Sequence, residues 1–399
     1  MRTVPTRSPL GVALVGGVAT VVGVLPVYLT GAMAVQITDD LVFGTAALGV
    51  AVAMFRVAGA ATSSHLGRVA DRIGSVASLR LAALISMVAA VGIATTAVNW
   101  LALVAWLMFA ATANALGQPA ANRLLVRTVP SGRQGAAFGV KQSAPPAASM
   151  LAGAAVPAVA LTVGWRWAYL LGVVLAIVVL VGAGRRPPPA ERASSASTPR
   201  PKLRDRRTVL VLATALGLST TASTTVPAFF VDASVRGGGS PEVAGTLLAV
   251  ASAAAILTRL VGGAIADRLS GGHLRLCAAL LAVGTLGLAL LAVGTPTAMA
   301  AGVVVALVGT WGFNGVFVFA LMRAYPDTPG AATGATMPGA LIGGIVGPIT
   351  FGALAEGLSY TGAWLFAAAA AVAAVVGFVI ASARLAHRPG PAEAGTPTT

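Results

Sequence analysis

Long apolar runs alternate along the chain with short polar or Pro/Gly-rich breaks, and the runs exceed what a soluble core helix needs. A helix crossing a bilayer takes ~20 apolar residues. Reading between the breaks gives twelve such runs, at about 9–34, 45–66, 79–98, 101–122, 134–162, 165–183, 208–231, 242–262, 275–294, 297–321, 330–355 and 361–383. Each is predicted helical, because lipid offers no partner to an unpaired backbone N–H or C=O. The polar step Val98–Asn99–Trp100 separates the third run from the fourth.

Composition supports this pattern. Of 399 residues 57% are hydrophobic and 9% charged, against roughly 25% charged in a soluble domain. A mean hydropathy of +0.88 needs an apolar surface as well as an apolar core, which excludes a soluble globular class. The fold class expected is an all-α polytopic membrane protein. The single cysteine, Cys277, excludes a disulfide within the chain. The basic start MRTVPTR runs into a long apolar stretch without a small-residue cleavage site, and reads as a retained first helix.

Charge sets the expected orientation. If the runs alternate in direction, 21 of the 26 Lys and Arg residues share one side, and Arg166 and Arg236 lie on the other. That bias places both termini in the cytoplasm, in the plasma (inner) membrane. The net charge of +15 is thereby a topology signal, and no nucleic-acid partner is expected. The polar segment 184–207, GRRPPPAERASSASTPRPKLRDRR, is too rich in Pro, Ser and Arg to build a core. It divides the chain into a bundle at 1–183, a cytoplasmic linker at 184–207, a second bundle at 208–383 and a tail at 384–399.

The two bundles look like copies at an offset near 196. GRVADR at 67–72 recurs as GAIADR at 263–268, RTVP at 127–130 as RAYP at 323–326, and GAAFG at 135–139 as GAATG at 330–334. Gly49 and Gly245 each stand 22 residues before the aspartate of the repeated motif, and LPVYL at 25–29 is echoed by VPAFF at 226–230. One such match is cheap in an Ala/Gly-rich chain, but a series in the same order is not. Duplicated helical bundles joined by a loop suit alternating access, with the solute site at mid-membrane between them.

GRVADRIG at 67–74 resembles the cytoplasmic signature loop of the major facilitator superfamily, and GAIADRLSGG at 263–272 sits where that family has a degenerate copy. GWRWAY at 164–169 is also similar. The resemblance covers the whole chain and implies twelve transmembrane helices in two pseudo-symmetric six-helix bundles. It also implies a conformational latch at Gly67, Asp71, Arg72 and Gly74, with Gly263, Asp267 and Arg268 in the second copy. Asp71 is expected to face the positive N-terminal end of the eleventh run, at Gly330–Ala331–Ala332 in the other half. The fourth run, AATANALGQPAANR, lacks the deep arginine of many proton-driven members. The fifth, GVKQSAPPAASMLAG, lacks the Gly-Pro motif of the drug antiporters, while PGALIGGIVGP occurs in the eleventh.

No carboxylate falls at mid-membrane: all eleven lie near the ends of runs or in loops, with Asp232 at the end of the seventh the nearest. What remains inside the apolar runs is positive. Arg56 lies 11 residues before Gly67, ~16 Å along a helix. Lys141 lies ~10 Å into the fifth run. Both are expected on an aqueous cavity that attracts an anion, Arg as a bidentate clamp and Lys as a point charge. Arg259 is read as an interfacial residue one turn before Gly263. Gln142 accompanies Lys141, and Tyr28, Asn114, Gln118, Thr221, Thr224 and Asn314 are the other polar candidates, from the runs that line the cavity in the family.

The leading expectation is a secondary carrier, a permease for a small organic solute, with organic anions favoured by the embedded cations. Alternatives are proton-driven efflux of drugs or lipophilic compounds, and a non-transporting sensor on a carrier scaffold. The partners expected are the solute, the lipid bilayer and a coupling proton or ion, acting on a monomer. No Gly-x-Ser-x-Gly, nucleotide-binding loop or metal-ligand cluster is present, so neither enzyme activity, a metal nor a cofactor is expected.

Overall fold

A computed structural model describes residues 9–130, 137, 139–184, 205–269 and 271–386, and among them it contains helices and no strand. Eleven helices are long and apolar enough to cross a membrane, and a shorter apolar one, Ala144–Ala160, takes the place of the fifth run. The first span, Pro9–Ala32, breaks at Met33 and continues as Ala34–Leu41. The second to fourth are Thr45–Ile73, Ser75–Thr96 and Trp100–Thr128. The fifth ends in a π-helical turn, Val156–Ala160, at Pro157, and the sixth is formed by Trp165–Ala168 and Leu170–Gly182. The seventh to twelfth are Arg206–Arg236, Pro241–Arg268, His273–Val293, Pro296–Ala324, Pro329–Gly357 and Tyr360–Ala386. The fold is a twelve-helix bundle in two pseudo-symmetric halves. The linker predicted at 184–207 and the tail at 384–399 lie mostly outside the described residues.

Apolar length sets where a helix meets water, not where it stops. The second span runs on through GRVADRI, and the eighth through GAIADR. The expected signature loops are therefore the last turns of helices, and only the turns beyond them are loops. Gly74, at φ +83°, and Gly272, at φ +76°, turn the chain there in a region that L side chains rarely adopt. At the opposite end, side chains start helices by taking an otherwise orphan N–H. Asn99 accepts from Ala102 at 2.8 Å, Ser240 from Val243 at 3.3 Å and Thr295 from Ala298 at 3.4 Å.

Packing within each half repeats the same plan. The second and third spans lie on the fourth as the eighth and ninth lie on the tenth. The first lies on the fifth and sixth as the seventh lies on the eleventh and twelfth. Small residues make the closest approaches, as expected where lipid-exposed helices associate by close packing. A Cβ built at Gly347 would fall 2.8 Å from the Thr221 carbonyl oxygen, and one at Gly284 2.7 Å from the Thr310 nitrogen.

The halves meet through the first span on the seventh, the second on the eleventh and the fifth on the eighth. These contacts are tightest at one end. A Cβ at Gly31 would lie 2.5 Å from the Pro227 oxygen, one at Gly352 2.7 Å from the Thr45 oxygen, and one at Gly153 2.6 Å from the Gly245 oxygen. Ser252 donates to Ser149 across the same boundary at 2.9 Å. At the other end, which carries most of the basic residues, a Cβ at Gly67, Gly139, Gly263, Gly330 or Gly334 would meet nothing within 4 Å. Among the described residues, the halves are sealed at one end and apart at the basic end.

Candidate functional site

Three contacts between the halves lie near the middle of the helices. Tyr28 of the first span meets Trp311 of the tenth edge-on, with ring centroids 6.0 Å apart at 82°. Trp311 is fixed from behind, its Nε1 donating to the Ser223 carbonyl at 3.2 Å. Arg259 of the eighth span donates from Nε to the Trp311 carbonyl at 2.9 Å and from Nη1 to the Gln142 carbonyl of the fifth span. Its guanidinium carbon stands 5.8 Å from the Trp311 ring centroid, within cation–π range. Arg56 of the second span lies against Gly344 of the eleventh, where an added Cβ would come within 2.9 Å of Arg56 Cδ and 3.1 Å of Nη1.

Arg259 thus differs from its expected interfacial place. Because the eighth span continues to Arg268, Arg259 is nine residues from its end, ~14 Å, and its head group is engaged between helices. Trp311, 4% exposed, faces the other half and not lipid. Phe313 and Phe317 pack on Phe378 inside their own half.

Lys141 is 2% exposed. Its ammonium donates to Gln118 Oε1 on the fourth span, 23 residues earlier, so a neutral amide holds it inside the first half. Its chain neighbour Gln142 accepts from Arg259 through the backbone carbonyl. Replacing Gln118 with leucine should leave that ammonium without its acceptor and cost ~1–3 kcal/mol. We expect a lower thermal midpoint for purified Gln118→Leu, largely restored in Lys141→Met/Gln118→Leu, measured by differential scanning fluorimetry.

The remaining candidates divide. Asn114 faces Gly23 of the first span, and its buried Oδ1 has no hydrogen-bond partner among the described residues. Asn314 is half-buried one turn beyond Trp311. Thr221 and Thr224 are spent on backbone: Thr221 donates to the Gly343 carbonyl at 3.2 Å and Thr224 to the Thr220 carbonyl at 2.9 Å. The Thr221 bond joins the seventh span to the eleventh, and the Thr224 bond stays within the seventh.

At the basic end Asp71 is paired with Arg123 of its own half, not with the start of the eleventh span. A Cβ at Gly330 would meet nothing within 4 Å, so no side chain of the first half lies against that helix start among the described residues. Arg72 and Arg268 are exposed there, and the Asp267 side chain lies outside the described residues.

The sealed end holds a network that the sequence did not show, although Asp232 itself stood out there as the carboxylate nearest mid-membrane. Asp232, 2% exposed, accepts from Thr45 of the other half at 3.3 Å, from Arg236 at 3.1 Å and from the Tyr360 hydroxyl. Glu356 of the eleventh span accepts the Ala46 N–H at 2.8 Å. It caps the start of the second span from the opposite half, where the helix dipole favours an anion. Among the described residues no cluster of His, Cys, Asp and Glu could hold a metal ion.

The Major Facilitator Superfamily model matches residues 16–348. The chain belongs to the Major Facilitator Superfamily. It is a multi-pass membrane transporter, a permease for a small-molecule substrate. Among solved members of the fold, a bacterial homologue of the human lysosomal transporter Spinster, inward-facing and unoccupied, superposes with a TM-score of 0.70. The two share 16% identity over 94% of this chain and 96% of the other. A variant of the nucleoside transporter NupG gives 0.70 at 15% identity, over 92% and 99%. At these identities the likeness concerns the superfamily fold alone. No curated protein sequence matches the chain.

Proposed function

We propose that this superfamily member is a secondary carrier that binds a small organic anion on the crevice floor and moves it by alternating access. One observation carries the reading. Arg56, near mid-membrane at the boundary between the halves, makes no hydrogen bond or ion pair among the described residues, and no acidic residue lies near it in sequence. An unpaired guanidinium at that depth is costly, and a carboxylate or phosphate ligand satisfies it bidentately.

The basic end is the cytoplasmic one in this reading, by the excess of Lys and Arg there. Both termini are then cytoplasmic, the membrane is the plasma (inner) membrane, and the described state faces inward. Asp71, Arg72 and Gly74, with their second copy at Asp267 and Arg268, close the cytoplasmic end when the outside opens. Asp71 then exchanges Arg123 for the start of the eleventh span. The carrier works as a monomer in this reading.

Flux of labelled organic anions into proteoliposomes tests the reading. Arg56→Ala should lower it by at least about tenfold, the ~1.5–3 kcal/mol of a lost charge-assisted hydrogen bond. Lys141→Met should lower it less, because Lys141 acts through Gln142 and its field. Unchanged anion flux in Arg56→Ala, with the protein folded, would remove the proposal. Flux of lipophilic cations but not anions would favour drug efflux instead.

A further inference from the structure

At the sealed end the second half contains a cavity of its own, with a volume of about 200 Å³. It lies between the end of the seventh span, the turn from the ninth to the tenth and the start of the twelfth. Every residue lining it belongs to the second half, so it is separate from the boundary at which Arg56 meets Gly344. The space equals that of ~7 water molecules at ~30 Å³ each. It falls below the ~300–1,000 Å³ of pockets for drug-sized molecules, so a ligand there is small.

The cavity offers donors. Trp364 lines it and is 1% exposed, and its indole Nε1 has no hydrogen-bond partner among the described residues. Burying an N–H without a partner is costly. The ring is held in place edge-on against Phe351, with centroids 4.6 Å apart. Arg236 also lines the cavity and gives only its Nε to Asp232, at 3.1 and 3.2 Å from the two carboxylate oxygens. Nη1 and Nη2 carry no hydrogen bond among the described residues, which leaves the end-on fork of the guanidinium free. Asp232 accepts from Thr45 and Tyr360 as well, so a second carboxylate on Arg236 does not strip it of donors. No Asp or Glu is among the lining residues, and Leu291, Met299 and the Trp364 ring supply an apolar wall.

We propose that this cavity binds a small monocarboxylate with an apolar body, held by the free fork of Arg236 and the Trp364 N–H. A planar carboxylate matches a guanidinium fork bidentately, and the apolar body covers Leu291 and Met299. Inorganic phosphate would satisfy the donors but leave that wall bare, and an ammonium would meet the guanidinium. The site is distinct from the substrate site proposed above and does not rest on it.

Tryptophan fluorescence of the purified full-length protein, titrated with 4-bromobenzoate, tests this, because bromine quenches an indole that it touches. The expected result is saturable quenching that is absent in Trp364→Phe and retained in Trp311→Phe and Arg56→Ala. Arg236→Gln should weaken binding about tenfold or more, the scale of a lost charge-assisted hydrogen bond. Benzoate should displace the probe, neutral benzamide should do so only at higher concentration, and benzylamine and inorganic phosphate should not. Thermal midpoints report that each variant is folded, and Trp364→Phe keeps an aromatic ring against Phe351. Quenching that survives in Trp364→Phe but is lost in Trp311→Phe or Arg56→Ala places the probe between the halves and overturns the proposal. Absence of saturable quenching, or displacement by benzylamine as effective as by benzoate, overturns it too. The organic-anion reading stands or falls separately, on flux in Arg56→Ala.

Discussion

Gly352→Leu should fold and insert normally yet lose about 10–100-fold in transport. A Cβ at Gly352 would lie 2.7 Å from the Thr45 carbonyl oxygen and 3.2 Å from the Ala46 Cα, backbone atoms of the second span. No flexible side chain is there to give way, so the leucine is accommodated only by parting the second and eleventh spans. Overpacking of this kind costs ~1–3 kcal/mol. The strain exists only while that end is sealed, because the contact crosses between the halves. At ~1.4 kcal/mol per factor of ten, the population of the sealed state falls by up to two orders of magnitude. A carrier that must visit both states loses flux accordingly. Gly357→Leu, five residues on, is the control: a Cβ at Gly357 meets nothing within 4 Å, and its flux should match the wild type. Flux into proteoliposomes checks the pair. Wild-type flux in Gly352→Leu would show that the sealed contact is not part of the cycle.

Asp232→Ala should open the same end by removing its buried acceptor. The carboxylate gathers Thr45, Arg236 and Tyr360. Arg236 is 54% exposed, so water replaces its partner at little cost and the ion pair adds little by itself. The Thr45 and Tyr360 hydroxyls are less well placed to find water, and each buried group left unsatisfied costs ~1–3 kcal/mol. The Thr45 share is lost only in the sealed state, since Thr45 belongs to the other half. Spin labels at Val42 and Leu358, 86% and 76% exposed at that end, should therefore report a longer, broader distance distribution in Asp232→Ala. Thr45→Val alone should produce part of the effect, and the double variant less than the sum, as for residues in one network. Identical distributions in all four proteins would remove Asp232 from the seal.

The same comparison separates what was legible in the chain from what was not. The helices, their number and the duplication are written in local pattern: apolar length, polar breaks and motifs repeating at one offset. A charge deep in an apolar run, as at Arg56, stands out in the sequence wherever its helix points. The partner of Lys141 was not legible, although Gln118 was itself a candidate. Pairing them requires knowing that the fourth and fifth spans bring these side chains face to face. Arg259 was misplaced because hydropathy marks the lipid boundary and the helix passes beyond it to Arg268. Asp71 was matched with the start of the eleventh span, whereas the structure pairs it with Arg123 of its own half.

By itself, the sequence determined a twelve-helix, internally repeated membrane transporter with positive side chains inside its apolar runs. Those properties follow from the free energy of moving each residue between water and lipid, which depends on the residue and its near neighbours. Only the tertiary structure decided which end is shut, that Asp232 and Glu356 fasten it to the second span, and that Tyr28 meets Trp311 while Arg259 reaches Gln142 across the halves. Those contacts join residues of different halves, such as Thr45 and Asp232, 187 positions apart. They are set by how two rigid bundles pack, a choice with more than one solution for the same helices.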